Sequence, residues 1–154
     1  MREDSGMDAA PDPAATPLPR ASELHVALYA FAEASARRRI VASTLHVGVP
    51  SIEDVPITDA GEVALRAELV EAGLARVEQA EPFVWLTRLG DLAPRRDDHR
   101  WFAAAATAFA THGLRTPDFY IVTRRGWHDL ATGERQVWHR VRPRRQRPDD
   151  TRPA

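Results

Sequence analysis

Two arginines occupy corresponding positions in a unit that occurs twice along the chain. In each copy an apolar segment, residues 83–87 or 119–123, runs into the pattern Thr-Arg-x-Gly. A guanidinium can hold a phosphate or a carboxylate through two parallel hydrogen bonds, and a glycine lets the backbone approach a ligand closely. The repeat therefore predicts an anion-binding site at four residues: Arg88, Gly90, Arg124 and Gly126.

This anion site requires that the two apolar segments lie next to each other as parallel strands. A helical segment, residues 98–112, separates them, and the order strand, helix, strand predicts a right-handed βαβ crossover. In open α/β sheets ligands bind outside the carboxyl ends of the parallel strands, where both arginines would lie. His99 or His128 would then be the acid–base residue of a small enzyme. The same pattern is also compatible with glycine turns and with arginines that pair with nearby aspartates.

A second candidate surface lies near the C-terminus, where the charge is unevenly distributed. The chain has a net charge of −1 and its 21 Lys and Arg residues are all arginine, yet residues 121–154 carry nine of them against four acidic residues. Arginines interleaved with tryptophans are typical of surfaces that contact phosphates and stack on unpaired bases. For the strands, however, a core or cross-strand position of the tryptophans is favoured, because tryptophans are usually well buried. The predicted contact residues are Arg125, Trp127, Trp138, Arg140, Arg142, Arg144, Arg145 and Arg147.

Apolar periodicity and cap signals predict the elements that would position these side chains. Helices are predicted over 23–39, 60–72 and 98–112, and strands over 40–49, 74–79, 83–87, 119–124 and 136–141. Residues 50–58, which contain two prolines, are predicted to form a loop. The expected fold is one small α/β or α+β domain over 21–142, with a mixed sheet of about five strands and three helices packed against it. Residues 1–20 and 143–154 are expected to be disordered.

Several classes of site are absent from the sequence. Without cysteine the chain has no disulfide, no thiolate metal site and no cysteine nucleophile. It has no G-x-S-x-G elbow, no glycine-rich phosphate loop and no HExxH motif. We therefore predict no catalytic residue, metal or cofactor. Neither a membrane span nor a signal peptide is recognisable, and we expect a cytoplasmic location.

These observations favour a non-catalytic binding or accessory protein. Its anionic partner would be an acidic protein, a nucleic acid or a small phosphorylated ligand, held by the arginine-rich C-terminal strands and tail. One alternative is a winged-helix DNA-binding regulator, which requires residues 40–58 to be helical and a DNA-reading helix at the acidic segment 60–72. The other alternative is a small enzyme or ligand sensor with its anion site at Arg88 and Arg124. The sequence gives no indication of the oligomeric state.

Overall fold

The fold is a six-stranded mixed sheet with helices on both faces. The computed structural model describes residues 18–58 and 61–137, and within them the strands follow the order β2-β1-β3-β4-β5-β6. The helices are α1 (Leu18–Ser35), α2 (Arg66–Leu74) and α3 (Arg96–Thr111); the strands are β1 (Thr44–Val49), β2 (Glu53–Ile57), β3 (Phe83–Thr87), β4 (Phe119–Thr123), β5 (Gly126–Asp129) and β6 (Arg135–Val137). The predicted class, a single small α+β domain with three helices, is confirmed, with one more strand than expected.

The two strands that precede the repeated motif are parallel neighbours. Val84 of β3 lies opposite Phe119 of β4, and Leu86 lies opposite Ile121. Every residue of both strands is buried. Such continuous burial is expected of parallel strands that are covered by helices on both faces. The parallel pairing predicted through the intervening helix, which is α3, is therefore confirmed.

Alternating side chains of the sheet belong to two separate hydrophobic cores, one on each face. On one face Phe83 and Trp85 of β3 pack in a cluster with Leu24 and Leu28 of α1. On the other face Val84 belongs to a cluster that contains residues of α2 and α3. Because neighbouring side chains on a strand point to opposite faces, each central strand contributes to both cores.

The first half of the chain differs from the predicted pattern in three places. Helix α1 ends at Ser35, so Arg37, Arg38 and Arg39 follow it and do not form its last turn. Residues 53–57 are a strand and not a loop, and Pro56 is tolerated there because β2 is an edge strand. Residues 75–79 contain no strand, so the predicted hairpin with β3 is not formed.

Helix α2 and strand β5 also differ from the predicted elements. Helix α2 begins at Arg66 and not at residue 60, after a 3-10 turn over Val63–Leu65. Strand β5 occupies residues 126–129, which lie outside the predicted strands. Residues 44–49 and 53–57 are strands, so the helix that a winged-helix regulator requires over 40–58 is missing.

Gly48 marks a very close approach of β1 to β2. Its φ is +140°, and an added Cβ would collide with the carbonyl oxygen of Glu53 in the paired strand. Gly113, after α3, also has a positive φ of +71°, but open space surrounds the position of its missing Cβ. A side chain at either position would strain the backbone, but only a side chain at position 48 would also collide with a neighbouring strand. Comparing the two substitutions therefore separates the two effects.

We predict that Gly48→Ala destabilises the protein more than Gly113→Ala. The Gly113 variant should lose about 1–2 kcal/mol, the cost of a side chain in a left-handed conformation. The Gly48 variant should lose about 1–3 kcal/mol more, because the strands must separate to make room. Urea denaturation of the three proteins measures the difference, and equal losses in both variants would contradict the close approach of β1 to β2.

Candidate functional site

Arg88, the first arginine of the repeat, is fully engaged by its own chain. It is 3% exposed, and its Nε and Nη2 donate to the two carboxylate oxygens of Asp98 at 3.1 and 3.0 Å. The remaining N–H groups donate to the backbone carbonyls of Leu89, Asp91 and Ala93. A guanidinium has five N–H donors, and these five contacts account for all of them. Arg88 thus shapes the loop between β3 and α3 and has no donor left for a ligand.

Arg124, the second arginine, holds the end of helix α1. Its Nε donates to the Ser35 hydroxyl at 2.9 Å, and its Nη2 donates to the backbone carbonyls of Ser35 and Arg38. The last carbonyls of a helix lack intrahelical partners and carry partial negative charge. A cation at this position therefore stabilises the end of α1 and ties it to the end of β4.

The register of the parallel strands explains why the two arginines do not converge. Thr87 lies opposite Val122 and not opposite Thr123, so the two Thr-Arg-x-Gly motifs are offset by one residue. An offset of one residue turns equivalent side chains to opposite faces of a sheet. Arg88 accordingly contacts α3, whereas Arg124 contacts α1.

The glycines of the motif make room for other parts of the same chain. Gly90 has a positive φ of +102° in the loop that Arg88 holds, and a Cβ there would displace the flexible end of the exposed Arg95 side chain. A Cβ on Gly126 would collide with the backbone carbonyl of Gln136 in β6. The close approaches that were predicted for a ligand are therefore made by this chain itself. All four residues of the predicted anion site have a role in holding the fold together.

The predicted C-terminal surface is only partly within the described residues. Arg125 is exposed, but Trp127 is 4% exposed and packs against α1, with its ring 5.2 Å from that of His25. A ring buried in this way has no free face on which a base could stack. The other predicted contact residues lie outside the described residues: Trp138, Arg140, Arg142, Arg144, Arg145 and Arg147.

The two histidines proposed as acid–base residues occupy different environments. His99 is exposed on α3, whereas His128 is 8% exposed on β5. Burial, together with the positive charge of Arg135, lowers the pKa of His128 below its ordinary value of 6.5. The Nδ1 atom of His128 has no hydrogen-bond partner among the described residues.

A cavity of about 290 Å³ lies between α1 and the sheet face formed by β1, β2 and β3, and we call it the α1 cavity. Its volume is at the lower end of the range for small-molecule sites, about 300–1,000 Å³. Its apolar walls come from Val26, Ala27, Ala30, Phe31, Ala34, Val41, Pro50 and Trp85. Its polar lining comes from Ser35, Arg38, Thr44, His46, Asp54 and Thr87.

Small side chains on α1 leave this space open. Ala27, Ala30 and Ala34 recur at helical spacing along the side of α1 that lines the cavity. The larger side chains Leu24 and Leu28 instead pack with β3, β4 and β5. Helix α1 is thus firmly seated over the centre of the sheet, while the sheet face towards β1 and β2 remains accessible from solvent.

Three side chains on the floor of the α1 cavity form a continuous hydrogen-bonded chain. His46 Nδ1 is 2.7 Å from Asp54 Oδ1, and His46 Nε2 is 3.0 Å from Thr87 Oγ1. The imidazole also stacks on the Trp85 ring, with the centroids 5.2 Å apart and the planes 5° from parallel. Two hydrogen bonds and one stacked face therefore fix the position and orientation of the His46 ring.

Strand pairing places these three residues together. His46 lies opposite Trp85, while Asp54 and Thr87 lie diagonally to it on the strands to either side. An ionised carboxylate only accepts hydrogen bonds, so Asp54 assigns the proton of neutral His46 to Nδ1. Nε2 is then an acceptor for the Thr87 hydroxyl. The arrangement carboxylate, imidazole, hydroxyl is one that prepares a hydroxyl to lose its proton.

Sequence reasoning missed this group of residues. The only local signal was alternation, since Thr44 and His46 are interleaved with the buried Leu45 and Val47. That alternation predicts a strand with one polar face but not the neighbour that this face meets. Asp54 was assigned to a loop, and the placement of β1 beside β3 had no local signature.

Comparison with known proteins gives no further assignment. No family model matches the chain, and no similar protein was found among curated proteins or solved structures. Within residues 18–58 and 61–137, no three His, Cys, Asp or Glu side chains are grouped so that they could hold a metal ion. None of the helices in this part of the chain is long and apolar enough to cross a membrane.

We predict that Arg88→Met strongly destabilises the fold. Removing one partner of a buried ion pair leaves the other charge, here Asp98, without compensation, and the expected loss is about 3–5 kcal/mol. The matched control is Arg100→Met on the exposed surface of α3, which should change stability by less than about 0.5 kcal/mol. Denaturant unfolding measures both, and similar small effects would contradict the role assigned to Arg88.

We predict that buried His128 makes the protein less stable as the pH falls from 7 to 5. Its pKa is lower in the folded state than in the unfolded state, so the unfolded chain takes up a proton first and unfolding becomes easier. His128→Gln should therefore lose less stability over this range than the wild type, and the exposed control His99→Gln should match the wild type. Equal slopes of unfolding free energy against pH in all three proteins would contradict this assignment.

Proposed function

We propose that this protein binds a small, mostly apolar carboxylic acid in the α1 cavity. The observation that supports this proposal is the α1 cavity itself, which combines apolar walls with one cluster of polar side chains around His46. Binding sites for small molecules have this composition, in which apolar contact supplies affinity and a few polar groups fix the orientation. The proposal belongs to the ligand-sensor class of the sequence analysis but locates the site elsewhere.

Arg38 supports an acidic group on the ligand. Its side chain lines the α1 cavity. No described residue forms a hydrogen bond or an ion pair with this side chain. Its backbone is held in place, because its carbonyl accepts a hydrogen bond from Arg124 at 3.2 Å. A guanidinium of this kind can bind a carboxylate in a bidentate manner.

Asp54 limits the charge that the ligand can carry. Its carboxylate lines the same cavity and repels a second negative group. A ligand with one carboxylate can lie beside Arg38 while its apolar part contacts Trp85 and Phe31. A dianion such as a phosphate monoester is disfavoured, and so is a polyanion such as a nucleic acid.

The hypothesis of a nucleic-acid or acidic-protein partner remains a separate prediction for the C-terminal arginines. Within the described residues its support is weaker than that for the α1 cavity, because Trp127 is buried. A concave site with a fixed imidazole favours a small ligand over a flat macromolecular surface.

We predict that octanoate binds saturably and changes the tryptophan fluorescence, since Trp85 lines the cavity. Ala30→Leu should weaken binding at least about tenfold, because the larger side chain occupies the cavity. Arg38→Gln should weaken it by about tenfold or more, the effect of losing one charge-assisted hydrogen bond. The control for Ala30→Leu is Ala103→Leu on the exposed side of α3, and the control for Arg38→Gln is Arg37→Gln at the neighbouring position. Both controls should bind octanoate as the wild type does.

Two results would contradict the proposed function. One is the absence of saturable octanoate binding to the full chain. The other is binding that is equally strong for octanol, which lacks the carboxylate, or that is equally affected by the cavity variants and by their controls.

A further inference from the structure

We propose that the α1 cavity is also a site of acyl transfer, in which Thr87 is the nucleophile and His46 is its general base. The inference rests on the proposed function, because it uses the same cavity and the same apolar ligand. Its substrate would be an ester or thioester of the small carboxylic acid, and the acid itself would be the product.

The geometry fits the roles of nucleophile, base and orienting group. The Thr87 hydroxyl lies 3.0 Å from His46 Nε2, and Asp54 holds His46 Nδ1 at 2.7 Å. Both distances are within the range over which a base removes a proton and a carboxylate orients that base. Thr87 also lines the cavity, so its hydroxyl is next to the space that the substrate would occupy.

The position of Thr87 in the sheet adds a second argument. It is the last residue of β3, one of the two parallel strands, and therefore lies at their carboxyl end. Reactive groups of open α/β sheets are found at this end, where side chains from several strands meet. Thr44, directly opposite Thr87 on β1, lines the same cavity.

The charges that form during the reaction have partners among the residues that line the α1 cavity. When His46 accepts the proton it becomes an imidazolium, which the Asp54 carboxylate and the stacked face of Trp85 both stabilise. The carbonyl oxygen of the substrate becomes negative at the same time. The Arg38 guanidinium is the cation in the cavity lining that can stabilise this oxygen.

The reaction balances without a cofactor or a redox partner. Thr87 Oγ1 forms a bond to the acyl carbon, its proton passes to His46 Nε2, and the bond to the leaving alcohol or thiol breaks as that group takes up the proton. Water then attacks the threonyl ester and gives a proton to His46. The acid is released as its bond to Thr87 breaks, and His46 returns the proton to Thr87 Oγ1.

A purely structural role for the same hydrogen bonds gives different expectations. The Thr87 hydroxyl is also 3.3 Å from the Thr44 carbonyl oxygen, so the three polar side chains could simply hold β1 between its neighbours. In that case changing Thr87 would alter stability, and the wild type itself would form no acyl intermediate. Acylation of Thr87 therefore separates the two roles.

The test is incubation of the full chain with p-nitrophenyl butyrate, followed by intact mass measurement and peptide mapping. The wild type should gain one butyryl group on Thr87 and release p-nitrophenol faster than buffer alone. Thr87→Ser should retain acylation, whereas the isosteric Thr87→Val should lose it. His46→Gln should slow acylation by about a hundredfold or more, and the exposed control Thr58→Val should behave as the wild type does.

The outcomes distinguish this inference from the proposed function. If octanoate binds in the cavity but Thr87 is never acylated, the acyl-transfer site is overturned and ligand binding stands. If Thr87→Val turns over the ester at the wild-type rate, the assignment of the nucleophile is overturned. If octanoate does not bind, the proposed function is overturned, and the acyl-transfer site that rests on it is overturned with it.

Discussion

The pairing of β1 between β2 and β3 is the constraint on which the candidate site depends. His46 lies on β1 and meets Asp54 on one side and Thr87 on the other, in both cases through a diagonal cross-strand contact. A slip of one residue in either ladder would turn the facing side chains to the opposite side of the sheet. Leu45 and Val47, buried in the opposite core, fix this register because a slip would expose them.

Internal arginine contacts build the frame around this sheet. Arg88 forms hydrogen bonds with the loop after β3 and with Asp98 at the start of α3, and Arg124 forms hydrogen bonds with the end of α1. Both arginines donate to backbone carbonyls as well as to side-chain oxygens, so each ties together segments that are separate in the sequence. The contact of Arg124 also bears on the site, because it positions the segment from Ser35 to Arg38 that lines one end of the α1 cavity.

The central part of the fold could be predicted from the sequence because its signals are local. The apolar runs that became β3 and β4 and the periodic segment that became α3 define a βαβ unit without reference to the rest of the chain. Residues 53–57 were predicted to lie in a loop because of Pro56, since a proline argues against a strand unless the strand lies at an edge. Whether a strand lies at an edge is a property of the whole sheet.

The candidate site could not be predicted because its residues meet only through long-range pairing. Nothing near His46 in the sequence indicates that Thr87, far along the chain, lies on the neighbouring strand. The repeated Thr-Arg-x-Gly motif pointed to the correct parallel strands, but the one-residue offset between Thr87 and Val122 separates the two arginines. Register therefore decides which polar side chains meet: it places His46 beside Thr87 and turns Arg88 and Arg124 to opposite faces of the sheet.

The most direct test of the account is the tautomer of His46, read by long-range correlation of its ring nitrogens and ring protons in NMR spectra at neutral pH. A hydrogen-bonded chain from Asp54 to Thr87 predicts that the proton is on Nδ1 and that the Nε2 signal shifts saturably when octanoate is added. A proton on Nε2, or a His46 spectrum that does not respond to octanoate, would contradict the account.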